Sequence, residues 1–258
     1  MDFRDRVVLI VGASSGMGRT LALRLAAEGA SIVATARRRE LLDTLAQQVA
    51  ARGGTCTVYA ADALDPDAAA GVVQACVGLH GRIDLAILNA GGAPALDLRR
   101  MDAREVTRYM RSNYDVAVNY LMPVLHQMRR QRHGLVAHTN SLAGLLGVPL
   151  QGPYCAAKGA LKLLVDTCRV EFSRDGIRFV SIYPGFVATE VTRNDGMPAP
   201  LEITEEAAVD HIMRALRRES MDYLFPWHMG WLVRLANCLP KRLTTWILRR
   251  EVPIEPIG

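Results

Sequence analysis

Near the N-terminus the apolar run Arg6 to Val11 (RVVLIV) ends at Gly12. Gly16 and Gly18 follow within VGASSGMG, and an amphipathic stretch through Leu21, Leu25 and Ala26 runs on to Gly29. Strand, glycine turn and helix in that order leave few folds open. The glycines permit positive φ and close backbone approach. The first amides of the helix, with Ser14, Ser15 and Met17 around them, form a site for an anion such as a pyrophosphate. Glycines at this spacing are weak evidence alone; their place between a strand and a helix gives them meaning.

A second constellation lies in SLAGLLGVPLQGPYCAAK, which begins at Ser141 and ends at Lys158. Tyr154 and Lys158 are four apart, which stacks them on one helix face, and Pro153 marks the helix's first turn. Ser141 is thirteen residues upstream of Tyr154, behind Leu135 and Val136, which read as a buried strand with the serine near its carboxyl edge. Open α/β sheets place their chemistry at such edges. Ionising a free tyrosine at pH 7 costs about 4 kcal/mol, and a neighbouring ammonium offsets that cost.

Ser141 with Tyr154-x-x-x-Lys158 resembles the short-chain dehydrogenases/reductases, and the resemblance covers nearly the whole chain. Gly12, Gly16 and Gly18 fit that family's T-G-x-x-x-G-x-G cofactor turn, with Val11 in place of the threonine. The implied fold is a doubly wound, mainly parallel α/β sheet of about seven strands, Rossmann-like, with helices on both faces, in a single domain over residues 1–258. The implied chemistry is interconversion of a carbonyl and a secondary alcohol. Ser141 bonds the carbonyl, Tyr154 is the general acid/base, and Lys158 lowers the phenol's pKa and holds the nicotinamide ribose. Asn113 supports a proton relay. Asn119 competes with Asn113, whose distance of twenty-eight residues from Ser141 suits the family better. Asp62, followed by Ala63, resembles the family's aspartate beside the adenine; its other reading is the cap of the next helix. Asn89, Ala90 and Gly91 resemble the N-N-A-G turn with Leu88 in first place. Pro184, Gly185, Val187 and Thr189 resemble the segment that packs on the nicotinamide and bonds its carboxamide.

The strand Ser31 to Ala36 ends where an acid would bond the adenosine ribose and repel a 2′-phosphate. Ala36 stands there, followed by Arg37, Arg38 and Arg39. A guanidinium bond to phosphate is worth about 1.5–3 kcal/mol, so the expectation is NADP(H) over NAD(H), with Arg37 the first ligand and Arg38 the second. The alternative is that the arginines only solvate the start of the following helix.

Composition removes other classes. Half the residues are hydrophobic, enough for a sizeable core, and the net charge of +5 comes without aromatic interleaving, which argues against a nucleic-acid partner. Six histidines show no ligand spacing, so no metal is expected. Five cysteines without a C-x-x-C pair suit a reducing compartment, and a charged start with a short apolar run suggests neither signal peptide nor membrane span. A cytoplasmic location follows as the expectation, with a homodimer or homotetramer implied by the family.

Leu142, Leu145, Leu146, Val148 and Phe186 suggest a hydrophobic small-molecule substrate, and residues 190–202 read as a candidate lid. Residues 227–251 read as two short basic amphipathic helices broken by Pro240. They cover the pocket, make a subunit contact, or touch an anionic membrane surface weakly, with packing and subunit contact the favoured roles. Rival functions are a non-catalytic NADP(H)-binding sensor or scaffold, and an epimerase or dehydratase on the same fold.

Overall fold

The computed structural model of the chain describes residues 1–188, 199 and 201–252. β1 (Val7–Val11) is buried at every position, as a continuous apolar run must be when it has strands on both sides and helices above and below. It pairs in parallel with β2 (Ser31–Ala36) on one side and β4 (Leu85–Leu88) on the other. β3 (Thr55–Ala60) extends the sheet beyond β2. β5 (Gly134–Thr139), β6 (Ile177–Pro184) and β9 (Asp222–Phe225) extend it beyond β4. The order is β3-β2-β1-β4-β5-β6-β9, every pairing parallel. β7 (Val187–Ala188) and β8 (Ile203–Thr204) form a separate two-stranded parallel pair.

The chain runs outward from β1 to β3 and then crosses back to β4. The order therefore reverses between β1 and β4, and the crevice outside their carboxyl ends is where such a sheet binds ligands. On one face lie α1 (Gly16–Ala27), α2 (Arg39–Ala50) and α7 (Glu205–Arg218), burying Leu21, Leu25, Leu42, Leu45 and Ile212. On the other lie α3 (Pro66–His80), α5 (Asp115–Gln131) and α6 (Gly152–Glu171), burying Val72, Val73, Leu121, Val124, Leu161 and Val165. Each such side chain contributes about 1.5–3 kcal/mol by leaving water.

Local features refine the sequence reading. The periodicity from 103 to 131 reads as one long helix, yet the chain forms two, α4 (Ala103–Arg111) and α5, separated at Ser112–Tyr114. The break is at Asn113, whose side chain turns its Oδ1 toward the Gly92 amide (3.0 Å) and its Nδ2 toward the Tyr109 carbonyl (3.2 Å). The next helix cap is made by Asp65, not Asp62: Asp65 Oδ1 accepts from the amides of Asp67 and Ala68 at 2.9 and 3.1 Å. The edge strand β9 is only four residues long, too short to show a periodic pattern. At the C-terminal end α8 (Trp227–Cys238) and α9 (Lys241–Leu248) are separate helices on either side of Pro240. Among the described residues no helix is long and apolar enough to cross a membrane.

Candidate active site

The register Val11↔Leu88 sets Gly12 and Asn89 side by side at the carboxyl ends of β1 and β4. A Cβ on Gly12, whose φ is +85°, would sit 2.8 Å from the Ala90 Cα. One on Gly18 would sit 2.1 Å from the Gly12 carbonyl oxygen. Both positions exclude any side chain. Asn89 ties three strand ends together. Its Nδ2 donates to the Gly12 carbonyl at 3.3 Å, and its Oδ1 accepts from Thr139 Oγ1 at 3.0 Å. Ser15, the residue before α1, makes no capping bond to the helix amides, so the first turn keeps its donors for an anion.

This turn is one wall of a cavity of about 1000 Å³ that runs along the crevice. Gly12, Ser14, Ser15, Gly16 and Met17 line it at one end, with Ala36, Arg37, Arg38, Asp62 and Ala63 beyond them. Gly18 packs behind the turn. Asn89, Ala90 and Gly91 form the floor, and Ser141, Tyr154, Lys158, Pro184, Gly185 and Val187 the opposite end. Thr189, and the candidate lid apart from residues 199, 201 and 202, lie outside the described residues. Glycine cradle, helix start, arginines and cavity size together fit a dinucleotide.

The two arginines differ in what they touch. Arg38 places Nη2 3.1 Å from Ser14 Oγ and 2.5 Å from Ser15 Oγ, and Nε 3.3 Å from Ser14 Oγ. That brings its guanidinium to the glycine turn itself. Arg37 lines the same cavity without a bond to the turn. Asp62 turns its Oδ1 to the Leu64 amide at 3.0 Å and faces the cavity. It is free of the capping duty that its sequence position suggested.

At the other end, α6 brings Tyr154 and Lys158 to one face, with Pro153 in its first turn. Ala157 and Leu161 bury the adjoining stripe against the sheet. Ser141 follows β5 and caps the tight 142–144 turn, its Oγ accepting from the Ala143 amide at 3.1 Å. The same hydroxyl hydrogen-bonds the Tyr154 phenol. Lys158 Nζ donates to the Thr139 carbonyl at 2.7 Å and stands 5.6 Å from the centre of the Tyr154 ring. Asn113 and Lys158 flank Gly91: a Cβ there would lie 2.7 Å from Asn113 Oδ1 and 3.7 Å from Lys158 Nζ. Asn119 instead donates to the Ala63 carbonyl at 2.9 Å.

The electrostatics differ from the expected acidified phenol. Burial pushes Tyr154 up to about 12, with the Ser141 hydrogen bond a smaller opposing effect, and pushes Lys158 down to about 8. Desolvation disfavours both charged forms. At neutral pH the phenol therefore holds its proton.

Several residues at the site carry no motif. Asn140, just before Ser141, accepts the Ser141 amide at 2.8 Å and donates to the Lys158 carbonyl at 3.1 Å. Its adjacency to Ser141 was the available signal. Met229 and Val233 of α8 line the cavity, forty residues or more beyond Pro184, and no spacing rule points to them. Of the apolar residues proposed for the pocket, Leu142, Val148 and Phe186 line it; Leu145 and Leu146 lie outside its lining.

The family model for short chain dehydrogenases matches residues 6–198. An uncharacterized oxidoreductase of Myxococcus xanthus is 32% identical over 245 residues, 95% of this chain and 97% of that protein. A 3-oxoacyl-acyl-carrier-protein reductase of Thermotoga maritima is 31% identical over 192 residues, 74% of this chain and 78% of that protein. The crystal structure of a short-chain type dehydrogenase/reductase from Mycobacterium marinum superposes with a TM-score of 0.79 at 26% identity, covering 86% of this chain and 94% of that one. With this sheet, this glycine turn and these matches, the chain belongs to the short-chain dehydrogenase/reductase family and is an NAD(P)(H)-dependent oxidoreductase acting on CH–OH groups.

Proposed function

We propose that the protein interconverts a carbonyl and a secondary alcohol on a hydrophobic small molecule, with NADP(H) preferred over NAD(H). The observation that carries this reading is the grouping of Ser141, Tyr154 and Lys158 at one end of a cavity whose other end is the glycine turn and Arg38. In the reductive direction Ser141 donates a hydrogen bond to the carbonyl oxygen. Tyr154, kept neutral by burial, gives that oxygen its proton as charge develops there. The nicotinamide, when bound, supplies the hydride. Lys158 serves the ribose, and Asn113, beside Gly91 and Lys158, supports return of the proton from solvent.

The residues that would hold the dinucleotide follow the cavity. The amides from Ser14 to Met17 serve the pyrophosphate, Asp62 and Ala63 the adenine, Asn89 to Gly91 the backbone approach, and Pro184, Gly185 and Val187 the nicotinamide. The NADP(H) preference is supported by Ala36 in place of an acid and by two exposed guanidiniums, Arg37 and Arg38, on the wall beside it. The hydrophobic substrate is supported by Leu142, Val148, Phe186, Met229 and Val233 in the lining. A homo-oligomer is supported by Leu163 and Val170, seven apart on α6 and both exposed, with Met122 of α5 also exposed. A reducing, cytoplasmic setting is supported by five unpaired cysteines.

The test follows loss of NADPH absorbance over a panel of ketones, aldehydes and 3-oxoacyl thioesters. Tyr154→Phe lowers turnover by about 10²–10⁴-fold and leaves NADPH binding in place. Undiminished turnover in that variant refutes the mechanism.

A further inference from the structure

α8 has an inner and an outer face. Met229 and Val233 line the cavity, and Asn237 Nδ2 donates to the Leu145 carbonyl at 2.8 Å, so one edge of the helix closes the substrate end of the pocket. The other side of α8, and most of α9, is bare among the described residues. Trp227 is 73% exposed, Trp231 64% and Trp246 53%, with Leu232, Leu235, Leu243 and Ile247 also exposed. A patch this apolar on a globular surface marks an interaction site.

The charge pattern says what kind. No acid occurs between Asp222 and Glu251, whereas Arg234, Lys241, Arg242, Arg249 and Arg250 give five cations. The Arg250 guanidinium stacks 4.2 Å from the centre of the Trp246 ring, so cation and aromatic are presented together. A second copy packing this face against itself would set five cations against five. An acid-free face of tryptophan, leucine and arginine on two helices of 12 and 8 residues complements an anionic lipid surface and lies in its plane.

We propose that the α8–α9 face docks on anionic membrane, and that the pocket closed by α8 takes its carbonyl substrate from that membrane. The second half rests on the oxidoreductase reading above; the first does not. The exposed indoles and leucines enter the boundary between headgroups and acyl chains, and the five cations lie among the headgroups.

The test uses the full chain with vesicles of phosphatidylcholine alone or with about one third phosphatidylglycerol. All three tryptophans of the chain lie on this face, so indole emission reports on it directly. The expected result is co-flotation at least about tenfold stronger with the anionic vesicles, a blue-shifted emission on binding, and loss of both at high salt. Arg249→Gln with Arg250→Gln weakens binding by about thirtyfold, and Trp231→Glu with Trp246→Glu abolishes it, with thermal midpoint and NADPH binding unchanged. The arginine pair also slows turnover of a long-chain ketone carried in anionic vesicles while sparing a water-soluble ketone.

Equal binding to neutral and anionic vesicles, or none to either, overturns the docking proposal. So does an emission already blue-shifted in buffer in a dimer that Trp231→Glu dissociates, since a second copy then covers the face. Vesicle binding needs no turnover. A protein that binds anionic vesicles yet reduces no carbonyl supports the docking face and refutes the activity.

Discussion

Replacing Arg38 by alanine separates a phosphate ligand from a brace of the glycine turn. Its guanidinium touches Ser14 Oγ at 3.1 Å and Ser15 Oγ at 2.5 Å, so it lies over the turn that a dinucleotide occupies. A charged hydrogen bond to a phosphate oxygen is worth about 1.5–3 kcal/mol, which converts to about 10–150-fold in affinity. Arg38 is exposed, and solvent screening brings the effect to the lower end, about tenfold. The brace, in contrast, acts on both dinucleotides alike, because Ser14 and Ser15 belong to the turn and not to the 2′-phosphate. The measurement is the Kd of NADPH and of NADH by quenching of tryptophan emission or by calorimetry, for the wild type, Arg38→Ala and Arg37→Ala. The expected outcome is NADPH about tenfold weaker in Arg38→Ala with NADH changed by less than about threefold. A parallel loss for both dinucleotides refutes the phosphate role, and a loss confined to Arg37→Ala returns the role to the residue that the sequence alone ranked first.

Three further outcomes follow from the geometry. Gly18→Ala forces a Cβ to 2.1 Å from the Gly12 carbonyl oxygen, so it abolishes binding of both dinucleotides, as the same titration measures, and lowers the thermal midpoint. Lys158→Met removes an ammonium whose burial lowers its pKa from 10.5 to about 8, a penalty of about 3 kcal/mol below pH 8. The lost bond to the Thr139 carbonyl returns about 1 kcal/mol. The variant is inactive yet about 2 kcal/mol more stable to urea at pH 7. Wild-type stability also rises with pH between about 8 and 10.5, where the unfolded chain holds the proton longer, and the variant lacks that rise. His138 is wholly buried with Nε2 2.6 Å from Ser181 Oγ, and burial, reinforced by Lys158 and Arg169, lowers its pKa to about 3. Its contribution is complete above pH 6.5 and is lost as pH falls toward 3, so His138→Asn flattens the fall in urea midpoint between those limits.

The parts of the site legible in the sequence were those fixed by short-range spacing. Gly12, Gly16 and Gly18 lie between a strand and a helix, and Tyr154 and Lys158 are one helical turn apart; each relation is local, and the fold keeps it. What was not legible depends on packing between distant segments. The cap of α3 is an exception, since it is local: Asp65 directly precedes Pro66 and accepts from the amides of Asp67 and Ala68. Which arginine reaches the glycine turn is decided just beyond the strand end: Arg38, the residue before α2, bonds Ser14 and Ser15, while Arg37 lines the same cavity. Met229 and Val233 reach the pocket only because β9 joins the sheet beside β6 and delivers α8 to its mouth. The break at Asn113 leaves the helical pattern intact on either side, so periodicity alone runs straight through it.

The direction of the tyrosine shift follows from the same dependence on packing. Read as a pair on a helix, Tyr154 and Lys158 invite the inference that the cation acidifies the phenol. Placed in the fold, Lys158 is buried and spends its shortest contact on the Thr139 carbonyl, 2.7 Å away. Tyr154 shares a hydrogen bond with Ser141 rather than with the lysine. Burial disfavours each charged form, so the two pKa values move apart, the phenol from 10.0 up to about 12 and the ammonium from 10.5 down to about 8. A phenol held neutral suits a proton donor and a carbonyl substrate. Oxidation of an alcohol needs the phenolate, and the groups within reach that favour it are Ser141, by its hydrogen bond, and Lys158, by its charge. The same burial therefore keeps the proton on Tyr154, the form that a proton donor needs, while making the phenol a weaker acid than free tyrosine.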